Sequence, residues 1–390
     1  MGSAGDDATA AELAALLRAL EQGRSRRTGF PGGSGFDYRP LAPFLHHELT
    51  DPGDPDAGTT ADHHTRAMER EVVEFFADLF HAPTQDRWGY VTTGAAEGNL
   101  YGLYAARVVY PDGMVYLSDT AHPSVTKAVE LLDMSSVTIR SLPGGELDCV
   151  DLRHVMDRHR TRPAIVVATA GTSTTGAVDD VRQIHRVFRD LALSRHYVHT
   201  DAAYGVHAAL LATEPGFDLA DGADSISVSG QEFIGTPFPS GAVILRRSLH
   251  ERVTRADTPG TTETVVGGAR NGHAALLLWY ALRRLGTAGL RGRAEHARDL
   301  AEYLVRRLTE LGWPTWRNPH GYTVLLKAPP AELANRWRLS IVDGWTRVSC
   351  LPGVTRDQVD RFLAELREGA APRVPAQPTR LRPRVPATAA

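Results

Sequence analysis

The sequence predicts an α/β fold, with one large domain and a smaller one behind it. Three observations carry this. The chain has 390 residues, 42% of them hydrophobic, enough to bury a full core. Short apolar runs end in small-residue turns, and helical patterns follow them, as at Trp88–Thr92 and then Gly94–Gly98. Finally, Asp201 stands at the end of the apolar run at 196–201, followed by two alanines, and the carboxyl end of a strand is where open α/β sheets bind ligands.

In chain order, residues 8–22 carry apolar side chains at helical spacing, and residues 30–45 form a Gly-rich segment. Residues 51–60, rich in Asp, Pro, Gly and Thr, read as an exposed loop, and residues 65–80 as a strong amphipathic helix. The turn after Trp88–Thr92 opens a helix, and helix N-termini offer unpaired N–H groups and partial positive charge, a plausible phosphate cradle. Thr93, Gly94 and Ala95 form that turn. Residues 115–118 read as a strand, and His122-Pro123 as the corner where the next helix begins. Residues 163–170 form a buried strand, and Asp179-Asp180 opens a helix with an acidic first turn.

Residues 225–229, Ser-Ile-Ser-Val-Ser, alternate polar and apolar, so the three serines share one face of a strand. Ser227 is read as a plain sheet-packed hydroxyl. Gly230-Gln231-Glu232 then opens a Gly/Pro-punctuated loop, residues 243–245 return as a strand, and residues 256–264 read as mobile. A helical pattern spans 293–311, strands follow between 313 and 351, and 356–366 is a closing helix. Residues 369–390 read as a disordered Pro/Arg/Ala-rich tail.

The bulk numbers exclude several classes. A net charge of −3 suggests neither a nucleic-acid binder nor a membrane-surface protein. No apolar stretch approaches the ~20 residues of a membrane span, and no signal peptide is seen, so a cytoplasmic protein is expected. Two cysteines, Cys149 and Cys350, make no metal spacing and no disulfide framework. Of 43 basic residues only two are lysines, Lys127 and Lys327.

In register, these motifs resemble the pyridoxal-phosphate (PLP) group II amino acid decarboxylases, in particular the bacterial histidine decarboxylases. Gly94-Ala-Ala-Glu-Gly-Asn99 is similar to the family's Gly-Gly-Thr-Glu-Gly-Asn turn, and Gly267-Gly-Ala-Arg-Asn-Gly-His273 to its Thr-Gly-Ser-Arg-Asn-Gly-His segment. Ser229-Gly230-Gln231-Glu232-Phe-Ile-Gly235 stands where the family has Ser-Gly-His-Lys-(Phe/Met)-Ile-Gly, whose lysine carries PLP as a Schiff base. The resemblance spans about residues 28–366. It implies the fold type I PLP-dependent transferase architecture: a large domain with a mainly parallel sheet (66–290) and a small α+β C-terminal domain (291–368), preceded by an N-terminal helix and a substrate-side, dimer-forming segment (1–65). It further implies that His122 lies over the PLP ring, Ala203 touches its other face, Asp201 pairs with the ring nitrogen and Ser229 contacts the phosphate, with Thr93, Gly94 and Ala95 in the phosphate turn. Lys127 matches the family and is read as structural. A homodimer is implied.

The departures define the question. Glu232 cannot form an imine, and Ala96, Gly267 and Ala269 replace hydroxyl residues that the family keeps. The leading expectation is therefore an enzyme without a Schiff-base lysine. Glu232 and His122 would form an acid–base pair, with Gln231 beside them, acting on a small amino-acid-derived substrate by proton transfer, cyclisation, condensation or acyl transfer. No cofactor would be covalently bound, and PLP, where held, would be held noncovalently; no metal is expected. Two alternatives stand beside it: a non-catalytic subunit partnering a lysine-containing paralogue, and an ordinary PLP-dependent histidine decarboxylase.

Overall fold

A computed structural model describes residues 3–24, 26, 35–56, 63–256, 264–319 and 321–369. Residues 57–60 of the loop expected at 51–60, most of the stretch at 256–264, the start of the Gly-rich segment at 30–45 and nearly all of the expected tail lie outside the described residues; residues 51–56 are not a simple exposed loop, since Thr50–Pro52 forms a strand and Asp51, Gly53 and Pro55 are buried.

The strands are β1 (Thr50–Pro52), β2 (Trp88–Thr92), β3 (Met114–Ser118), β4 (Ser135–Ile139), β5 (Ala164–Thr169), β6 (His196–Ala202), β7 (Ser225–Ser229), β8 (Gly241–Leu245), β9 (Ala269–Asn271), β10 (Thr315–Trp316), β11 (Thr323–Lys327) and β12 (Trp345–Ser349). The helices are α1 (Ser3–Arg24), α2 (Arg66–Leu79), α3 (Ala95–Val109), α4 (Pro123–Leu131), α5 (Cys149–Asp157), α6 (Val181–Asp190), α7 (Gly205–Leu211), α8 (Arg247–Ala256), α9 (Gly272–Glu310), α10 (Ala331–Arg336) and α11 (Arg356–Glu368).

Seven strands form the main sheet in the order β2-β8-β7-β6-β5-β3-β4. It is parallel from β7 through β4, while β8 runs antiparallel to both of its neighbours. Strand alternation explains why it is covered on both sides. In β3, Met114 and Tyr116 join one apolar core while Val115 and Leu117 join the other, and β5 and β8 divide in the same way. Helices α2, α5, α6, α7 and the first part of α9 cover the first face, and α3, α4 and α8 the second.

The small sheet, β10-β11-β12, is antiparallel and has its own core with α10, α11 and the end of α9. Leu290 and Ala294 of α9 still pack into the large core, whereas Ala297 and Leu300 pack into the small one. The helix expected at 293–311 thus begins much earlier, at Gly272. Asn271 caps it by accepting from the His273 N–H, and it is broken only at Gly286, which has φ 59°. From Gly272 to Leu282, α9 carries no polar stripe that would mark it as a surface helix, because most of its residues there are buried where it packs against α2 and α7.

A second correction concerns Asp179 and Asp180. Neither lies in a first turn. Asp180 is the N-cap of α6, while Asp179 turns inward and accepts from the Leu147 and Thr169 N–H groups, both at 2.7 Å. Burial pushes the Asp179 carboxyl up to about 7.

Candidate active site

The carboxyl ends of β5, β6 and β7 place Thr169, Asp201 and Ser229 along one edge. Thr169 is in register with Asp201, and Asp201 with Ser227. Asp201 is buried. Its Oδ1 accepts from the Ala203 N–H (3.1 Å) and its Oδ2 from Asn99 Nδ2 (2.9 Å). Burial raises its carboxyl above the ordinary value, and those two donors, followed by His122, oppose the rise.

Asn99 is the hub that sequence reasoning missed. Its Nδ2 also donates to the Ser124 hydroxyl (3.1 Å), and its Oδ1 accepts from His199 Nε2 (3.0 Å) and from the Ser227 hydroxyl. His199 Nδ1 in turn accepts from Ser225 (2.7 Å), which accepts from Tyr197 (2.9 Å). Ser227 is therefore not a plain sheet-packed hydroxyl: it helps fix the amide that holds Asp201. Burial pushes His199 down to about 3, so it stays neutral, with its proton on Nε2. The available signal was Asn99 itself, the last residue of the quoted turn.

The network requires α3 to lie very close to the sheet. A Cβ at Gly98 would stand 2.7 Å from Ser227 Cβ, and one at Gly102 would collide with the His199 ring. Gly102→Ala is expected to destabilise the fold by ~1–3 kcal/mol through overpacking, despite alanine's better helix propensity. A drop in the melting temperature checks this.

At the N-terminus of α3, Gly94 has φ 142° and no side-chain cap. The Thr93 hydroxyl is engaged, donating to Glu97 Oε2 (2.7 Å), which also accepts the Thr93 N–H (2.8 Å). Ala95 and Ala96 are the first two helical residues.

His122 is the N-cap of α4. Its Nδ1 accepts from the Ser124 N–H (3.2 Å) and from the Ser124 hydroxyl (2.8 Å), which leaves its ring proton on Nε2. Capping thus commits its Nδ1, and Glu232 is not among its hydrogen-bond partners.

Glu232 sits in a loop closed at its base, where the Gly230 N–H donates to Ser240 O (2.8 Å) and the Gly235 N–H to Gly230 O (2.9 Å). Its Oε2 is buried without a hydrogen-bond partner. Burial raises the Glu232 carboxyl, the Ser229 hydroxyl and backbone lower it, the Asp201 charge raises it, and His122 lowers it. Gln231, half-buried, donates its N–H to Ser229 Oγ (3.2 Å). Tyr204 is the N-cap of α7, and Tyr322 immediately precedes β11, the middle strand of the small sheet. Both phenols are raised by burial first and then by charges that include Glu232, Tyr204 reaching about 12.

The two lysines stand apart. Lys127 is exposed on α4, and Lys327 is exposed on β11 over the Trp345 ring. Arg270 and His273 of the 267–273 segment have structural partners: Arg270 makes a buried double hydrogen bond to Glu69, and His273 Nε2 donates to Phe44 O (3.0 Å). Among the described residues, no group of three or more His, Cys, Asp or Glu could hold a metal ion, and no helix is long and apolar enough to cross a membrane.

The mainly parallel sheet, its single antiparallel strand and the acidic strand end define a fold type I PLP-dependent enzyme architecture. Residues 60–312 match the pyridoxal-dependent decarboxylase conserved domain, and the chain belongs to that family. It is 40% identical over 357 residues to a histidine decarboxylase of Mesorhizobium japonicum, covering 90% of this chain and 96% of that one. It is 33% identical over 359 residues to serine decarboxylase 3 of Oryza sativa subsp. japonica, covering 90% and 80%. Among solved structures, L-methionine decarboxylase from Streptomyces sp. 590 superposes with a TM-score of 0.84 at 25% identity, over 93% of this chain and 96% of that one.

The residues present fit the family's cofactor in part. Asp201, oriented by Asn99 and Ala203, suits a protonated ring nitrogen. Neither lysine of the chain lies at the end of β7, and residue 232 is an acid.

Proposed function

We propose that this chain is a divergent member of the pyridoxal-dependent decarboxylase family that does not anchor PLP covalently. Glu232 serves as the acid–base group, acting on a small amino-acid-derived substrate at the carboxyl end of β7. The observation that carries this reading is the half-buried Glu232 side chain in the loop after β7, where the resemblance puts the family's lysine, with its Oε2 buried and unpaired and Asp201 and His122 in electrostatic reach. A carboxyl raised by burial exchanges protons closer to neutral pH than a solvated one. His122, with its proton on Nε2, is the complementary donor, acting on the substrate rather than through Glu232. Proton transfer, cyclisation, condensation and acyl transfer all lie within the reach of such a pair.

PLP, when held, would be held by Asp201 at its ring nitrogen, with His122 and Ala203 at its faces, Ser229 and the Thr93-Gly94-Ala95 turn toward its phosphate, and no covalent link; bound there it would supply an electron sink. A homodimer also fits, since Leu13, Leu16, Leu17 and Leu20 form an exposed apolar stripe along α1.

The test is intact-mass analysis after incubation with PLP and borohydride. Wild type is expected to show no added mass, and Glu232→Gln is expected to lower any turnover found in a substrate screen by ~10²–10⁴-fold. A stoichiometric PLP adduct on wild type, or full activity in Glu232→Gln, overturns the reading.

A further inference from the structure

One amide ties Asp201 and His122 to a buried chain of polar side chains. Asn99 Nδ2 donates to Asp201 Oδ2 (2.9 Å) and to the Ser124 hydroxyl (3.1 Å), and that hydroxyl lies 2.8 Å from His122 Nδ1. The other end of the amide, Oδ1, accepts from His199 Nε2 (3.0 Å) and from the Ser227 hydroxyl. Behind His199 stand Ser225 (2.7 Å) and then Tyr197, 2.9 Å from Ser225. Asn99 is 1% exposed, and Tyr197, His199, Ser225 and Ser227 are fully buried, so bulk water replaces none of these partners.

A chain of this kind has two self-consistent polarities. With the amide as it stands, Asp201 accepts as a carboxylate and His199 carries its proton on Nε2. With the amide reversed, Asn99 Oδ1 would face Asp201, which would have to be protonated to donate, and His199 would carry its proton on Nδ1. The choice is made at the start of α4. The Ser124 N–H can only donate, and it fixes His122 Nδ1 as an acceptor (3.2 Å). The Ser124 hydroxyl therefore donates to Nδ1, and its oxygen is left to accept, which calls for the NH2 end of Asn99. The same NH2 group then faces Asp201. Burial pushes that carboxyl the other way, toward the neutral acid. His122, Glu232 and Tyr204 interact with it electrostatically, and none of the three is its hydrogen-bond partner.

We propose that Asn99 and Ser124 are positioning residues, which set the polarity of this chain so that Asp201 is presented as a carboxylate and His122 as an Nε2–H donor. This rests on the proposed function, in which Asp201 and His122 belong to the site, and deepens it by naming what selects the form of each. The cap of α4 decides, through one hydroxyl and one amide, how an acid at the end of β6 is held. The serine face of β7 acquires a use as well: Ser227 holds the amide oxygen, and Ser225 holds the far side of His199.

The experiment is nuclear magnetic resonance of the PLP-free protein, isotopically labelled at the histidine rings and the aspartate carboxyls. The signals lost in His199→Gln and Asp201→Asn identify the two residues. In wild type at neutral pH, His199 is expected to carry its proton on Nε2 and the Asp201 carboxyl to be ionised. Asn99→Leu is expected to raise the proton affinity of Asp201 by about 10- to 100-fold, the loss of one hydrogen bond to a charged group. Ser124→Ala frees the amide to turn. It is expected to raise that affinity by roughly three- to tenfold and to give His199 a second signal with the proton on Nδ1. Ser124→Thr keeps the hydroxyl and is expected to match wild type in both readings. A purely structural role for Ser124 would lower the melting temperature of Ser124→Ala and leave both readings in place. Ser124 is only half-buried, and the wild-type readings need no variant, so the proposal can fail even where Asn99→Leu folds poorly. A His199 proton on Nδ1 or a neutral Asp201 in wild type, or an Asp201 proton affinity unchanged in both Asn99→Leu and Ser124→Ala, overturns it. Neither reading involves PLP or a change at Glu232, so the outcome is separate from that of the mass measurement that tests the proposed function.

Discussion

Glu232→Lys is expected to give the chain a covalent hold on PLP. Forming an imine with a lysine changes the electronic system of the PLP ring, so the PLP absorbance band should move in the variant while wild type leaves it in place. The geometry favours this outcome. Residue 232 projects from a loop pinned by Gly230 and Ser240, and Asp201 is already oriented for a ring nitrogen by Asn99 and Ala203. The substitution also replaces an acid beside the Asp201 charge with a base. Capture should remain weaker than in a chain with the full phosphate turn, because Ala96 opens α3 without a hydroxyl. Adding Ala96→Thr to Glu232→Lys is expected to tighten PLP binding further. No shift of the band in either variant would mean that the ring-facing residues have lost the cofactor as well, and that the cavity's chemistry is independent of PLP.

Arg270→Ala is expected to have the largest effect on stability. Arg270 donates through Nε (2.8 Å) and Nη2 (2.7 Å) to the two oxygens of Glu69, and through Nη1 to Gly53 O. Glu69 is fully buried and also accepts from the Val91 N–H at 2.9 Å. The pair joins α2, β2 and the small β1–β9 ribbon. Removing the guanidinium leaves a buried carboxyl without its counter-charge, which costs ~3–5 kcal/mol. Urea denaturation followed by circular dichroism checks this. The double variant Glu69→Met/Arg270→Met is expected to recover much of the loss, because two apolar side chains of similar length need no counter-charge. A single variant as stable as wild type would remove the pair from the account of the fold.

The architecture was legible because its signals are local. The alternation in residues 225–229 gave a strand, and small residues after apolar runs gave the turns that follow β2 and β6. Helix α2 was read within one residue at each end. Elements with a weak local signal were not read: β4 carries mostly exposed side chains, and α5 is only nine residues long. The first half of α9 was missed because its burial between α2 and α7 removes the polar face by which surface helices are recognised.

The site divides in the same way. That residue 232 is an acid, that Asp201 follows an apolar run, and that only two lysines exist are facts of residue identity and order. Composition and pattern carry them because each depends on one position at a time. The role of Asn99, the use of His122 Nδ1 as a helix cap and the isolation of Glu232 Oε2 depend on side chains up to 128 residues apart, as Ser227 is from Asn99. Hydrogen-bond partnership and burial are properties of folded neighbours, so these belong to the tertiary structure alone: packing sets which polar atoms are satisfied and which stay open to a ligand.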